Sequence, residues 1–81
     1  MAFYLVERYV PSMTASDLQA AIGRVEELHG PVRHVWTILV ANEDTCLSVF
    51  EGPDAGAVED ANVRAAFRVD RIVEVTAVEP V

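Results

Sequence analysis

The sequence contains no lysine, so its positive charge is carried by arginine alone. Six arginines stand against thirteen aspartates and glutamates, and the formal net charge is −7. Nucleic acids and anionic membrane surfaces are bound through clusters of basic side chains, and this composition disfavours both as partners. Cations and neutral small molecules are better matched to such a charge.

Cysteine and long apolar runs are also scarce. The single cysteine, Cys46, excludes an internal disulfide and a structural site built mainly from cysteines. No apolar run approaches the ~20 residues of a membrane-spanning helix. The first residues lack the basic stretch and apolar core of a signal peptide, so we expect a cytoplasmic protein. Glycine-rich phosphate loops and the common zinc-protease and serine-hydrolase motifs do not occur.

Hydrophobic residues, by contrast, are abundant. They make up 52% of a chain of 81 residues, a length that predicts one domain spanning residues 1–81. A domain this small buries a smaller share of its surface than a large one does. Because large exposed apolar patches mark contact surfaces, we expect a second copy of the chain to cover the excess.

The local patterns predict the order strand, helix, strand, strand, helix, strand. The strands are predicted over residues 3–10, 32–40, 45–51 and 70–78, where β-branched and aromatic residues concentrate. One helix begins at Thr14 and ends before Gly30 and Pro31. The other is capped by Asp54 and runs to about Ala66, and Pro80 closes the chain. The short polar turn at residues 42–44 predicts that the second and third strands form an antiparallel hairpin.

This order is typical of the ferredoxin-like βαββαβ arrangement of the α+β class. Right-handed crossovers place both helices on one face of a four-stranded antiparallel sheet, with the first and third strands in its centre. Alternation along the strands is interpreted as placing one set under the helices: Leu47, Val49, Val73, Val75 and Ala77. The other set then lies on the open face: Cys46, Ser48, Phe50, Ile72, Glu74, Thr76 and Val78. Because both sets contain apolar residues, we expect a homodimer formed through the open face.

Three stretches of the chain, YLVERYVPSMT, EDTCLSVFEGPDAGAVEDAN and VDRIVEV, resemble a bacterial domain-of-unknown-function family of small proteins. One branch of that family binds nickel. The resemblance implies a ferredoxin-like dimer. It also implies histidine in the first strand or the second helix of metal-binding members, where this chain has Glu7, Ala61 and Asn62.

Two carboxylates are the first candidates for a metal site. Glu7 and Glu74 lie on strands predicted to be neighbours, and like charges directly opposite each other repel unless a cation, a shared proton or an arginine intervenes. His34 is the candidate nitrogen ligand for nickel or zinc, and it reaches the carboxylates only across the dimer. The alternative is that the carboxylates are surface groups paired with Arg8 or Arg71 and that His34 is half-buried at the interface.

The remaining chemistry-bearing residues favour structural roles. His29 precedes Gly30 at a helix end, where a capping role is expected. Cys46 lies in an apolar strand and is expected to act as a small, unreactive hydrophobe, although a nucleophilic role stays open. Trp36, beside His34 by strand parity, and Phe50 either wall a pocket or belong to core and interface.

The sequence therefore predicts a small dimeric binding protein for a divalent metal such as nickel or zinc, or for a small molecule. Two alternatives stay open. One is a cofactor-free or haem-type enzyme of the dimeric α/β-barrel kind, and the other is a purely structural or interaction module. No residue is assigned a catalytic role.

Overall fold

The computed structural model describes residues 1–78, so the expected stop at Pro80 lies outside the described residues. Six main elements follow in the predicted order: β1 Ala2–Tyr9, α1 Ala15–Glu26, β2 Arg33–Val40, β3 Thr45–Gly52, α2 Ala55–Arg64 and β4 Arg71–Val75. A 3-10 turn, Ala41–Glu43, joins β2 to β3. Within residues 1–78 no helix combines the length and apolarity needed to cross a bilayer.

The four strands form one antiparallel sheet in the order β2-β3-β1-β4. β1 and β3 are therefore central, and the predicted ferredoxin-like fold is confirmed. The last strand is shorter than expected, since it ends at Val75. α1 also ends early, at Glu26, and the backbone N–H of His29 donates to the Glu26 carbonyl just beyond the helix.

Both helices begin where the sequence predicts, because their first turns are capped by side chains. Thr14 Oγ1 accepts from the Asp17 backbone N–H at 3.1 Å, and Asp17 Oδ2 accepts from the Thr14 N–H at 2.8 Å. These two bonds form a capping box and lower the pKa of Asp17. At α2, Asp54 Oδ1 accepts from the Ala57 N–H at 2.7 Å.

The hydrophobic core lies between the helices and one face of the sheet. Its centre is Phe50 of β3, which is fully buried beside Val6 of β1 and Val58 of α2. The other members of the core cluster surround these three: Tyr4, Val10, Leu18, Ala21, Val25, Cys46, Ala61, Ala65 and Phe67. The covered face of the sheet is thus the one that contains Phe50.

The assignment of β3 and of residues 72–75 of β4 to the two faces was wrong and has to be reversed, whereas Thr76 lines the open face as expected. Cys46, Ser48 and Phe50 lie under the helices, where all three are fully buried. The residues expected there line the open face instead: Leu47, Val49, Val73, Val75 and Ala77. Ile72 and Glu74 lie on the helix side, in register with Val6 and Tyr4. Both alternating sets are apolar, so alternation alone could not identify the covered set.

A β-bulge in β2 produces a second correction. The register shifts between His34 and Trp36, so that His34 pairs with Phe50 while Trp36 pairs with Val49. Val35 and Trp36 both line the open face, and His34 lies on the helix side. His34 and Trp36 are therefore not neighbours on one face, because the extra residue changes the parity of the strand.

Candidate functional site

The three residues predicted to bind a metal ion lie in different parts of the molecule. Glu7 is on the open face, opposite Arg71. Glu74 is on the helix side of β4, opposite Tyr4. His34 is on the helix side of the edge strand β2. The register of β1 and β4 separates the two carboxylates. Residues that pair across a ladder share a face, so Glu74 faces the same way as Tyr4. Tyr4 and Glu7 are three residues apart on β1 and therefore point to opposite faces.

The described residues of one chain do not fit a metal ion. Within residues 1–78, no three side chains of histidine, cysteine, aspartate or glutamate lie together in a way that could hold one. A dimer through the open face leaves His34 on the far side of the sheet from Glu7. Metal binding by Glu7, Glu74 and His34 therefore stays a prediction, and a single chain does not bring these three residues together.

A buried arginine is the feature that the sequence analysis missed. Arg8 of β1 is fully buried. Its Nη1 donates to Asn62 Oδ1 at 3.1 Å and to the Arg68 carbonyl at 2.8 Å, and its guanidinium carbon lies 3.4 Å from the centroid of the Phe67 ring. Nε and Nη2 have no hydrogen-bond partner among the described residues. Burial lowers the pKa of Arg8 to about 10, and neighbouring Cys46 and Asp70 oppose this shift.

Arg8 holds the connection between α2 and β4 in place. Its bond to the Arg68 carbonyl is reinforced by Asp70, whose Oδ2 accepts from the Tyr9 N–H at 2.7 Å and whose N–H donates to the Glu7 carbonyl at 3.0 Å. The hydrogen bond from Arg68, followed by that from the Tyr9 backbone, lowers the pKa of Asp70. This connection is thereby tied to β1 at several points.

A row of polar side chains crosses the covered face from the β2 edge towards Arg8. His34 Nε2 lies 2.8 Å from Thr37 Oγ1, and Thr37 Oγ1 lies 2.7 Å from Ser48 Oγ. Ser48 Oγ is 3.8 Å from Cys46 Sγ, and Cys46 is the cross-strand partner of Arg8. We call His34, Thr37, Ser48 and Cys46 the polar chain. The i, i+2 spacing of Cys46 and Ser48 was visible in the sequence, but the bulge hid their link to His34.

The polar chain reaches the surface at a half-open cleft between α1 and β2. The cleft has a volume of about 330 Å³. Its lining is apolar except for Gln19, His34 and Thr37, and the other lining residues are Ala15, Leu18, Ile22 and Leu39. This cleft is therefore the place where the buried polar groups meet solvent.

His34 is half-buried, and its ring meets the Phe50 ring edge-on at a centroid distance of 5.4 Å. Desolvation lowers the pKa of His34, and the charge of Arg8 lowers it further. The charge of Glu26 and the Trp36 backbone oppose this decrease. The neutral imidazole is therefore the form that the folded protein favours.

This shift predicts a loss of stability on mild acidification. The folded state binds the His34 proton less readily than the unfolded state does. The stability that neutral His34 contributes is therefore complete above pH ~6.5, and it is lost as the pH falls towards the lower pKa of the folded state. Urea unfolding at pH 7.5 and pH 5.5 should show a smaller decrease in the free energy of unfolding for His34→Gln than for the wild type. An equal decrease in both proteins would contradict it.

Cys46 is fully buried, as its apolar strand led us to expect. We predict that a thiol reagent modifies it slowly in the native protein and rapidly in denaturant, because access requires opening of the sheet–helix core. The labelling rate should rise in step with the unfolded fraction across a urea titration. Labelling in native buffer as fast as in denaturant would show that the core opens locally at β3.

The open face of the sheet is apolar along its length. We call it the open apolar face and define it by residues from all four strands: Phe3, Leu5, Val35, Trp36, Ile38, Leu47, Val49, Val73 and Val75. A cleft of about 450 Å³ runs across it. Its four strand charges balance, since Arg33 contacts Glu51 at 2.6 Å near one end and Glu7 lies opposite Arg71 in the β1–β4 register towards the other.

Comparison with known proteins adds a family and a fold. Residues 4–75 match the sequence family described as "nickel responsive protein SCO4226-like". The structure is similar to the crystal structure of SCO4226 from Streptomyces coelicolor A3(2), with a TM-score of 0.85 and 25% identity over 96% of this chain and 100% of that one. No curated protein matches the chain.

Proposed function

Because the chain belongs to the family described as nickel responsive protein SCO4226-like, we propose that it is a small binding protein of a nickel response that works as a homodimer. The open apolar face is the proposed dimer surface. The observation that carries the dimer is the combination of exposed large hydrophobic side chains on this face with a balanced set of charges.

Two large hydrophobic side chains of this face are strongly exposed in the single chain. Trp36 is 41% exposed and Ile38 is 51% exposed, and both lie on the sheet rather than on a loop. A four-stranded sheet covers roughly 450 Å² in projection, from strand spacings of ~4.8 Å and rises of ~3.3 Å per residue. This projected area is about half of the ~800 Å² per partner of a standard interface, and the accessible area of side chains exceeds their projected area.

Charge favours a second copy over an unrelated acidic or basic partner. The chain carries a net charge of −7, yet the strands of the open apolar face contribute two arginines and two glutamates. Two copies that meet through this face therefore bring together a neutral surface, while their remaining acidic groups lie away from the contact. Like-charge repulsion, which costs most at short range, is small there.

Light scattering and sedimentation equilibrium of untagged protein test the dimer. We expect twice the chain mass at micromolar concentration, with apparent mass falling on dilution only when the dissociation constant is passed. A chain that stays monomeric at tens of micromolar would refute the proposal. Denaturation midpoints that rise with protein concentration would give independent support.

Nickel is the ligand that family membership favours. Because one chain gathers no set of three donors among residues 1–78, a bound ion takes donors from both copies. Glu7 is the predicted ligand that lies on the proposed dimer surface, whereas Glu74 and His34 lie on the helix side.

Calorimetric titration with nickel and zinc separates the alternatives. Elemental analysis of untagged protein precedes it, followed by wild type, Glu7→Gln, Glu74→Gln and His34→Ala. Weaker binding in Glu7→Gln alone would support an ion held between the two copies. Wild-type binding in all three variants would remove the predicted ligand set, and no binding by the wild type would refute direct metal binding while leaving the dimer intact.

A further inference from the structure

The buried Arg8 lies at one end of the polar chain and His34 at the other. We propose that Arg8 sets the direction of every hydrogen bond in the polar chain and thereby holds neutral His34 as the tautomer with its proton on Nδ1. Nε2 of the imidazole then accepts a hydrogen bond within the fold, and neither ring nitrogen has a free lone pair to bind a metal ion. This inference stands independently of the proposed dimer.

The first step is the asymmetry of arginine. A guanidinium has five N–H donors and no acceptor. Arg8 is fully buried, and its Nε and Nη2 have no hydrogen-bond partner among the described residues. The thiol of Cys46, directly across the β1–β3 ladder, therefore turns its sulfur lone pairs towards the positive charge and its S–H away from it. Away from Arg8 along the same strand face lies Ser48 Oγ, at 3.8 Å.

The second step is propagation along the hydroxyl groups. A hydroxyl has a single proton and can also accept, so a row of hydroxyls runs in one direction when each proton is used within the row. When Cys46 donates to Ser48, Ser48 donates to Thr37 over 2.7 Å, and Thr37 donates to His34 Nε2 over 2.8 Å. In the reverse direction Cys46 would accept from Ser48, and its S–H would lose Ser48 as an acceptor and would point elsewhere beside the cross-strand Arg8 cation.

The third step concerns His34 itself. With Nε2 as an acceptor, a neutral ring carries its proton on Nδ1. Nδ1 is the ring nitrogen that does not face Thr37. Metal ions bind a ring nitrogen through its lone pair. The Nε2 lone pair of His34 is occupied by Thr37, and Nδ1 has none to offer while it is protonated.

Nitrogen-15 NMR of the histidine side chains reads the tautomer directly. The chain contains one other histidine, His29, which is exposed beyond the end of α1 and provides an internal reference. Above pH 7.5 we expect His29 to show the Nε2-protonated form that imidazole prefers in water. We expect His34 to show the opposite form, with Nε2 at the position of an unprotonated nitrogen. A His34 ring protonated on Nε2 in the wild type would overturn the proposal.

Substitutions test whether Arg8 is the cause. Thr37→Val removes the donor to His34, and Ser48→Ala cuts the chain one step earlier; both should return His34 towards the Nε2-protonated form. Arg8→Met, at the far end of the polar chain, should also return His34 towards the Nε2-protonated form. Arg24→Met removes a cation of α1 that is not part of the polar chain, and it should leave the His34 tautomer unchanged. An unchanged His34 tautomer in folded Ser48→Ala and Thr37→Val would overturn the proposal even where Arg8→Met fails to fold.

Metal exclusion has its own readout. One equivalent of zinc, which is diamagnetic, should leave the ring nitrogen shifts of His34 unchanged in the wild type. Thr37→Val leaves the ring free to carry its proton on either nitrogen and so exposes a nitrogen lone pair, which should make these shifts zinc-sensitive. A zinc-induced shift of His34 Nε2 in the wild type would overturn the exclusion. This result does not depend on where nickel binds or on the oligomeric state.

Discussion

Trp36→Glu is expected to convert the proposed homodimer into folded monomers. Trp36 lies on the open apolar face and is already 41% exposed in the single chain, so a glutamate is tolerated there once the partner has left. Truncating an aromatic anchor residue at an interface costs about 2 kcal/mol or more, and a two-fold dimer would lose two of them. The dissociation constant should therefore rise by a factor of roughly 1,000, and further for the buried charge. Sedimentation equilibrium measures the change.

Val63→Glu is the matched control for this substitution. Val63 is 62% exposed on α2, on the opposite side of the sheet, and the change adds the same charge. It should leave the dissociation constant unchanged. If both variants remained dimers, the open apolar face would not be the interface, and if both dissociated, net charge rather than this face would explain the effect.

Phe67→Ala is expected to lower the free energy of unfolding by about 3–5 kcal/mol, as for other buried phenylalanines replaced by alanine. The loss is large against the ~5–15 kcal/mol stability of a typical domain. Phe67 is 3% exposed, and its ring covers the buried guanidinium of Arg8 at 3.4 Å. Its removal leaves a cavity beside a guanidinium of which two nitrogens, Nε and Nη2, have no hydrogen-bond partner among the described residues. Urea denaturation gives the value.

Phe67→Leu separates the two contributions. Leucine restores most of the apolar volume but has no aromatic face, so the remaining loss reports the cation–π contact, worth about 2 kcal/mol where the cation is desolvated. A Phe67→Leu protein as stable as the wild type would show that the ring fills space and does not stabilise the cation. A loss under 1 kcal/mol in both variants would contradict the buried placement of Phe67.

The local pattern was sufficient for the order of elements and for the start of each helix. Thr14 with Asp17, and Asp54 with the Ala57 N–H, act within four residues of chain, so their capping roles depend on spacing alone. The central position of β1 and β3 followed from chain connectivity, since right-handed crossovers leave few arrangements of four strands.

The placement of the two faces and of the candidate site depended on contacts between distant residues. Arg8 meets Asn62 across 54 residues and the Arg68 carbonyl across 60, and no local spacing encodes either contact. Both faces of the sheet are apolar, so burial under the helices had to be settled by packing around Phe50. A register that pairs Glu7 with Arg71 sets Glu7 and Glu74 on opposite faces. The one-residue bulge at Val35 turns His34 inward, because side chains alternate with a period of two and a single extra residue reverses the facing of all that precede it.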